Sequence, residues 1–251
     1  MAKRGWIFIS ATFGDSDMLA AGERLRHQAE ETGLFDHIQI YNFEDLQSLA
    51  PFIWANYREY LTTEHKGFGY FCWKPELVLR TLQKYSEYGL MWADAGCELH
   101  GGLFRTKRLK HMMNSAIRTG SFLYKLDYPE YRYTKPDIYN FFSNLEYPDN
   151  SPQIQATWFM LSGSLGMDIA SRWFASSANG IHMLDLNTAF STSGLIEHRF
   201  DQSLLSLTCK SLMIKPKKHI PAGRPVSLLG KLNCAVHPIW ASRNRSGKSL
   251  K

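Results

Sequence analysis

Three short stretches hold the side chains with which this chain could do chemistry. In "LMWADAG", residues 90–96, an apolar run that reads as a buried strand stops at a lone acid, Asp94, with small residues behind it. In open α/β sheets ligands bind beyond the carboxyl ends of the strands. An acid there, followed by Ala95 and Gly96, leaves room for a divalent metal and a diphosphate and lets backbone approach them. A turn cap is the competing reading of the same acid. In "EHRFDQSLLSL", residues 197–207, His198, Arg199, Asp201 and Gln202 cluster ahead of an apolar helical run. An N-cap role for Asp201, with Gln202 in the first turn, accounts for the acid but not for the His–Arg pair. An arginine can clamp a phosphate with two parallel hydrogen bonds, and a histidine can ligate a divalent metal. In "YRYTKPD", residues 131–137, Arg132, Lys135 and Asp137 alternate with aromatic rings. That pattern fits sugar-phosphate binding, and it also fits an ordinary surface loop. A fourth candidate is Arg24, on the first helix after a strand and turn, where a cation can face a phosphate or simply be solvated. The turn before it, "ATFGDSD", is not a G-x-G-x-x-G loop, and no Walker-type motif follows a strand.

The elements that must position these groups read as an alternation of strands and helices. "GWIFISATFG" is a strand and turn, "SDMLAAGERLRHQAEETGLF" an amphipathic helix with Gly33 as C-cap, and "DHIQIYNF" a second strand. A strand, helix and strand in succession predict a parallel pair with a crossover helix. Residues 44–65 are helical and broken before Pro51. "KPELVLRTLQKYSEY" is a helix with Pro75 in its first turn, where a missing N–H is harmless. "LKHMMNSAIRTG" is a short helix, "GSFLYKLD" a strand, and the stretch from there to about residue 165 is irregular. "SLGMDIASRWFASSANG" and "FDQSLLSLTCKSL" are helices. With no internal repeat and no low-complexity linker, one α/β domain over residues 1–251 is the simplest organisation.

Composition bounds the function. The 251 residues are 44% hydrophobic and 21% charged, which is globular usage and excludes a disordered chain. Aromatics reach 14%; most of them fill a core, and a cleft lined with some of them would suit sugars or bases. The net charge of +6 comes largely from the C-terminal region, in "KPKKH", "GRPVSLLGK" and "SRNRSGKSLK". Such a region binds phosphates, acidic lipid headgroups or nucleic acid, or else is a frayed solvated end. Four scattered cysteines, Cys72, Cys97, Cys209 and Cys234, have no C-x-x-C spacing. They point to a reducing compartment rather than to zinc or a disulfide framework. No run is long enough to span a membrane or to be a signal peptide, so any membrane contact is expected to be peripheral.

Taken in order, the pieces resemble a family. "RL" and "QA" on the first helix, "GFGYFCWKPELVLRTL", "WADAGCE", "RYTKPD" and "HRFDQSLLSL" follow the order seen in bacterial glycosyltransferases of capsule and lipopolysaccharide clusters. The resemblance covers roughly residues 5–210, and its Trp-Lys-Pro and Asp-Ala-Gly-Cys motifs are the specific part. It implies an A-type glycosyltransferase fold: a Rossmann-like, mostly parallel mixed sheet flanked by helices. Residues 1–100 would form the nucleotide-binding half and residues 101–251 the acceptor-binding half.

The resemblance also implies a nucleotide-sugar donor, in our reading a UDP-sugar, and a surface glycan or lipid-linked acceptor. It places Ser10, Thr12 and Arg24 near the nucleotide. Lys74 and Asp94 fall near the diphosphate or its metal, and Arg132, Lys135 and Asp137 near donor phosphate or sugar. His198, Arg199, Asp201 and Gln202 form the far wall. Asp201 is the candidate carboxylate at the reacting centre, as general base if the anomeric configuration inverts or as stabiliser of an oxocarbenium-like state if it is retained. Such enzymes usually carry an Asp-x-Asp motif for manganese or magnesium; here the matching spot is Asp94-Ala95-Gly96, without the second acid. Either Glu98 or His198 completes a metal site with Asp94, or Lys74, Arg132 and Arg199 neutralise the diphosphate instead. The expected location is cytoplasmic, with the basic C-terminal region on the anionic inner face of the plasma membrane. A nucleic-acid binder and a non-catalytic carbohydrate-binding protein are the competing readings, and the basic residues match no nucleic-acid-binding module.

Overall fold

The computed structural model describes residues 5–180, 194–218, 236–245 and 247–248. Cys234 and the basic stretch from residue 219 to 235 lie outside them. The chain opens with strand β1, Trp6–Ala11, helix α1, Ser16–Thr32, and strand β2, His37–Tyr41. Helices α2, Leu46–Leu49, α3, Pro51–Tyr57, α4, Gly67–Tyr70, and α5, Trp73–Lys84, lead to strand β3, Gly89–Ala93. Then come β4, Glu98–Leu99, helix α6, Leu103–Thr119, β5, Ser121–Phe122, β6, Tyr124–Pro129, β7, Pro152–Ile154, and β8, Trp158–Leu161. Helices α7, Gly163–Ala178, and α8, Phe200–Ser211, and the short strands β9, Lys217–Lys218, and β10, Ile239–Trp240, complete the described residues.

The main sheet has five strands in the order β2-β1-β3-β8-β5. β1 pairs in parallel with both β2 and β3, as the strand–helix–strand pattern predicts. β8 runs antiparallel to both β3 and β5, so the sheet is mixed and mostly parallel. Helices cover both faces, which is the layering that a central parallel strand such as "WIFISA", buried at all six residues, requires. The alternation is visible residue by residue. Ile7, Ile9 and Ala11 of β1 join the core under α5, α7 and α8. Trp6 and Phe8 join the core under α1 and α6. The caps of α1 follow the sequence: the Asp15 side chain accepts from the Met18 N–H, and Gly33 takes a left-handed φ of 61°.

Three departures from the sequence reading bear on the site. β8 falls inside the stretch read as irregular, yet it is a fully buried central strand. "WFML" is too short for period to tell strand from loop, and only its place between β3 and β5 makes it one. The strand read over residues 120–127 divides at Leu123 into β5 in the main sheet and β6 in a separate sheet of order β7-β6-β9. α6 begins at Leu103, earlier than the apolar periodicity indicated, because its first turn points Leu103 and Phe104 to solvent and so adds nothing to the core-facing period. Near the chain end, β10 folds back and pairs antiparallel with β4, just beyond Asp94. No helix among the described residues is long and apolar enough to cross a membrane.

Candidate active site

Strand parity fixes where Asp94 points. In β3, Leu90 and Trp92 face the layer of α5, α7 and α8, while Met91 and Ala93 face the other. Asp94 is the next residue of the first set, so its carboxylate emerges on the α5–α8 side at the carboxyl end of a parallel strand. There it meets Lys74 from the start of α5 and Asp201 from the start of α8. The Lys74 Nζ donates to Asp94 Oδ1 at 2.7 Å, to Asp201 Oδ2 at 3.0 Å and to the Ala156 carbonyl at 3.0 Å. An ammonium has three N–H donors, and all three are now committed. The Trp92 indole N–H adds a second hydrogen bond to Asp94 Oδ1 at 2.8 Å, and its ring lies 4.9 Å from the Lys74 Nζ. Asp94 Oδ2 accepts no hydrogen bond among the described residues, and the Asp94 side chain is 35% exposed.

The electrostatics follow from one cation between two buried anions. Burial acts to lower the Lys74 pKa, and the carboxylates of Asp201 and Asp94 more than reverse it, so the ammonium is held above its ordinary value. The Asp201 carboxyl is pushed up to about 6; burial is the largest cause, Lys74 pulls against it, and Asp94 raises it further. A single ammonium shared with Asp94 does not fully offset the burial of the Asp201 carboxylate.

Lys74 is delivered by unusual backbone. Gly67, Phe68, Gly69, Tyr70 and Phe71 all have positive φ, from 55° to 86°. Left-handed angles at non-glycine residues cost about 1–2 kcal/mol each, so this turn exists only because its surroundings impose it. The Trp73 indole holds it by donating to the Gly67 and Phe68 carbonyls at 3.3 and 3.0 Å.

The other candidates separate into those near this centre and those with structural duties. Gln202 uses both ends of its amide, accepting from the Ala156 N–H and donating to Gln153. It fixes the segment whose Ala156 carbonyl receives Lys74. His198 is buried, with its Nδ1 against the Lys135 N–H and the Ser203 hydroxyl. Lys135 is buried, whereas Arg132 and Asp137 are exposed. Arg199 is the N-cap of α8, so Asp201 sits inside the helix rather than capping it. The Arg199 guanidinium lies 4.5 and 4.2 Å from the Tyr128 and Tyr133 rings and hydrogen-bonds the Tyr128 hydroxyl. Burial lowers its pKa, and so does the charge of nearby Arg243. Ser10 is wholly buried, and its hydroxyl makes no hydrogen bond among the described residues. Thr12 packs against the Tyr41 carbonyl at 3.4 Å.

Arg24 and Glu98 serve the backbone behind Asp94. The Arg24 Nη2 donates to the carbonyls of Ala95, Cys97 and Asn244 at 2.9, 2.9 and 3.1 Å. Glu98 accepts from Ser242 and Asn244. Together they tie the returning chain end to the Asp94 turn. Among the described residues no three His, Cys, Asp or Glu side chains stand close enough to hold a metal ion. Replacing Arg24 by Met takes the donor from three buried carbonyls and removes the cation whose charge acts on Glu98, and should cost on the order of 2–4 kcal/mol. A denaturation midpoint in urea checks this, and an unchanged midpoint would return Arg24 to a ligand-facing role.

Sequence reasoning missed two participants. Trp92 shares the strand face of Asp94, a signal available from parity alone. Arg243 stood in what read as a basic tail, yet a Cβ on Gly96 would lie 3.3 Å from its Cα. Gly96 is therefore the close-approach point at which the chain end crosses the Asp94 turn, with Arg243 itself at a φ of 56°. No local signal could have found it.

No family model matches this chain, and no curated protein matches it in sequence. Among solved structures it is similar to mouse xyloside xylosyltransferase 1 in its apo form, at 10% identity and a TM-score of 0.49, over 98% of this chain and 100% of that one. It is also similar to a glycosyltransferase involved in the glycosylation of the major capsid of PBCV-1, at 10% identity and a TM-score of 0.47, over 94% of this chain and 92% of that one. Likenesses this distant carry no activity across to this chain.

Proposed function

We propose that this chain is a glycosyltransferase, moving a sugar from a nucleotide-sugar donor, a UDP-sugar in our reading, to a surface glycan or lipid-linked acceptor. The observation that carries this is the Lys74 bridge between Asp94 and Asp201 at the carboxyl end of β3, with one Asp94 oxygen left open. The motif order supports it independently, because Trp-Lys-Pro supplies the bridging lysine and Asp-Ala-Gly-Cys one of the two carboxylates it joins.

In this reading the bridge sets the charge and position of both carboxylates. Asp201, titrating near 6, is largely ionised at neutral pH and is matched to proton transfer there. As a base it would take the acceptor hydroxyl proton and the reaction would invert; as a bystander anion it would stabilise an oxocarbenium-like state and the reaction would retain. Arg199 and Arg243, drawn together by the returning chain end, face the charge that builds on a departing nucleoside diphosphate. A divalent ion fits only in part. Among the described residues Asp94 Oδ2 is an open carboxylate oxygen that could hold it, which suits magnesium or manganese sharing waters and donor phosphates rather than a cage of protein ligands. Bound there, such an ion would neutralise charge on the leaving diphosphate.

A thermal-shift screen against UDP, GDP, CDP and CMP, each with and without manganese, tests the reading. A ligand at about a hundred times its Kd adds roughly 2.7 kcal/mol to the native state, a rise of several degrees for a chain of this size. One nucleoside diphosphate should raise the midpoint while the others do not. No shift with any nucleotide would overturn the proposal. Donor binding with no turnover on any acceptor would leave a non-catalytic carbohydrate binder.

A further inference from the structure

Helix α6 carries Arg105, Lys107, Arg108, Lys110, His111 and Arg118 and has no Asp or Glu along its 17 residues. Its core face is already filled by Leu109, Met112, Met113 and Ala116. At about 100° per residue, Leu103 and Phe104 fall on the opposite, solvent face, together with Lys107, Lys110 and His111. Leu103 is 80% exposed and Phe104 77%, an apolar pair presented to water at the start of a basic helix. Beside them the half-buried Trp240 of β10 packs against His100 with the rings tilted, 4.0 Å between centroids, and the Arg105 guanidinium lies 5.5 Å from its ring. An exposed apolar pair, an aromatic ring and the cations of a helix that carries no acid of its own together form a recognisable chemistry, the nearby Glu98 being buried.

We propose that this end of the molecule docks on an anionic bilayer surface. Leu103 and Phe104 enter the boundary between headgroups and acyl chains, while Lys107 and Lys110 meet lipid phosphates and carboxylates. Charge complementarity selects the occupant. Single-stranded nucleic acid would use the cations and could stack a base on Phe104 but gains nothing from Leu103, and a second copy would bring two acid-free helices against each other. The helix is already formed, so little conformational entropy opposes docking, and an interfacial face of apolar and cationic residues is what such binding needs. The docking stands apart from the donor chemistry of the proposed function; only its consequence rests on that reading. α6 starts at the carboxyl end of the sheet, the end that bears Asp94, so docking would bring that end beside a lipid-linked acceptor.

Co-sedimentation of the full chain with vesicles tests this, using phosphatidylcholine alone and phosphatidylcholine mixed with phosphatidylserine. The chain should sediment with the mixed vesicles and not with the neutral ones. Lys107→Gln with Lys110→Gln should weaken that partition on the order of tenfold. Leu103→Ser with Phe104→Ser should weaken it at least as much while leaving the thermal midpoint and its rise with nucleotide unchanged, because both side chains are exposed. Equal sedimentation with neutral vesicles, or none with either, would overturn the docking. So would variants that bind like the parent, or a salt-sensitive gel shift with single-stranded RNA that the vesicles fail to compete. A docking failure with the nucleotide shift intact strikes the docking alone.

Discussion

Lys74→Met should yield a chain that loses stability steeply as pH rises and that turns over no donor at neutral pH. The side chain it replaces is 2% exposed and is the shared cation of two carboxylates. Removing one partner of a buried ion pair costs about 3–5 kcal/mol, because the charge left behind is uncompensated. For a chain of this length that lowers the thermal midpoint by on the order of 10 °C or more. The pH dependence separates this from simple loss of packing. In the parent, Asp201 titrates at about 6 when folded against an ordinary 3.8, so between those values the folded state binds more protons than the unfolded one. Stability therefore falls as pH rises through that window, by roughly 3 kcal/mol in total. Lys74 has the same sign in a higher window: its raised pKa contributes stability that is complete below its ordinary value and lost as pH climbs through the folded one. Without Lys74, the Gln202 N–H in the first turn of α8 is what still pulls the Asp201 pKa down among the described residues. Its pKa should climb further, and the window of lost stability should extend up through neutral pH. Urea unfolding at a series of pH values reads this directly. A midpoint that holds at every pH, with donor binding lost, would mean that Lys74 serves the donor phosphates and not the carboxylates.

Much of the centre was legible, but not its wiring. Asp94 and Asp201 stood out by type and context, and Lys74 through the Trp-Lys-Pro motif of the resemblance; the face that Asp94 takes became clear only from the packing of β3. What the sequence could not supply was that Lys74 finds a carboxylate 20 residues away and another 127 residues away, rather than a phosphate. That follows from the meeting of β3, α5, α8 and the segment before β8, and β8 itself was too short to be seen. Arg24 illustrates the same limit. A cation on the first helix after a strand is placed as a phosphate ligand would be, yet three carbonyls from two distant segments claim it. The run "GFGYF" entered the sequence reading only as part of the family motif, and left-handed angles at Phe68, Tyr70 and Phe71 run against local preference. They persist because the Trp73 indole and the packing of α5 outweigh it. Arg243 was hidden for a different reason: a basic chain end has no periodicity to read, and only the fit of Gly96 against it brings it to the site.

Asp94→Asn should cut turnover by about a hundredfold to a thousandfold, the range seen when one charge-stabilising group is removed from a site. The fold should survive. The Asn oxygen can still accept from the Lys74 Nζ and the Trp92 indole, so the thermal midpoint should stay within a few degrees. Two further readouts tell what the lost charge did. If Asp94 Oδ2 holds a divalent ion, the part of the nucleotide-induced thermal shift that depends on manganese should vanish while the remainder persists, since an amide N–H₂ repels a cation. And because the Asp94 charge is one of the causes raising the Asp201 pKa, its removal should move the acid limb of the pH–rate profile, near 6 in the parent, to lower pH. Lys74→Met should move any residual activity the opposite way. A turn cap would give neither shift, only a fall in stability. An acid that touched the donor but not Asp201 would lose activity with the limb unmoved. Opposite displacements from the two variants require that Asp94 and Asp201 answer to the same ammonium.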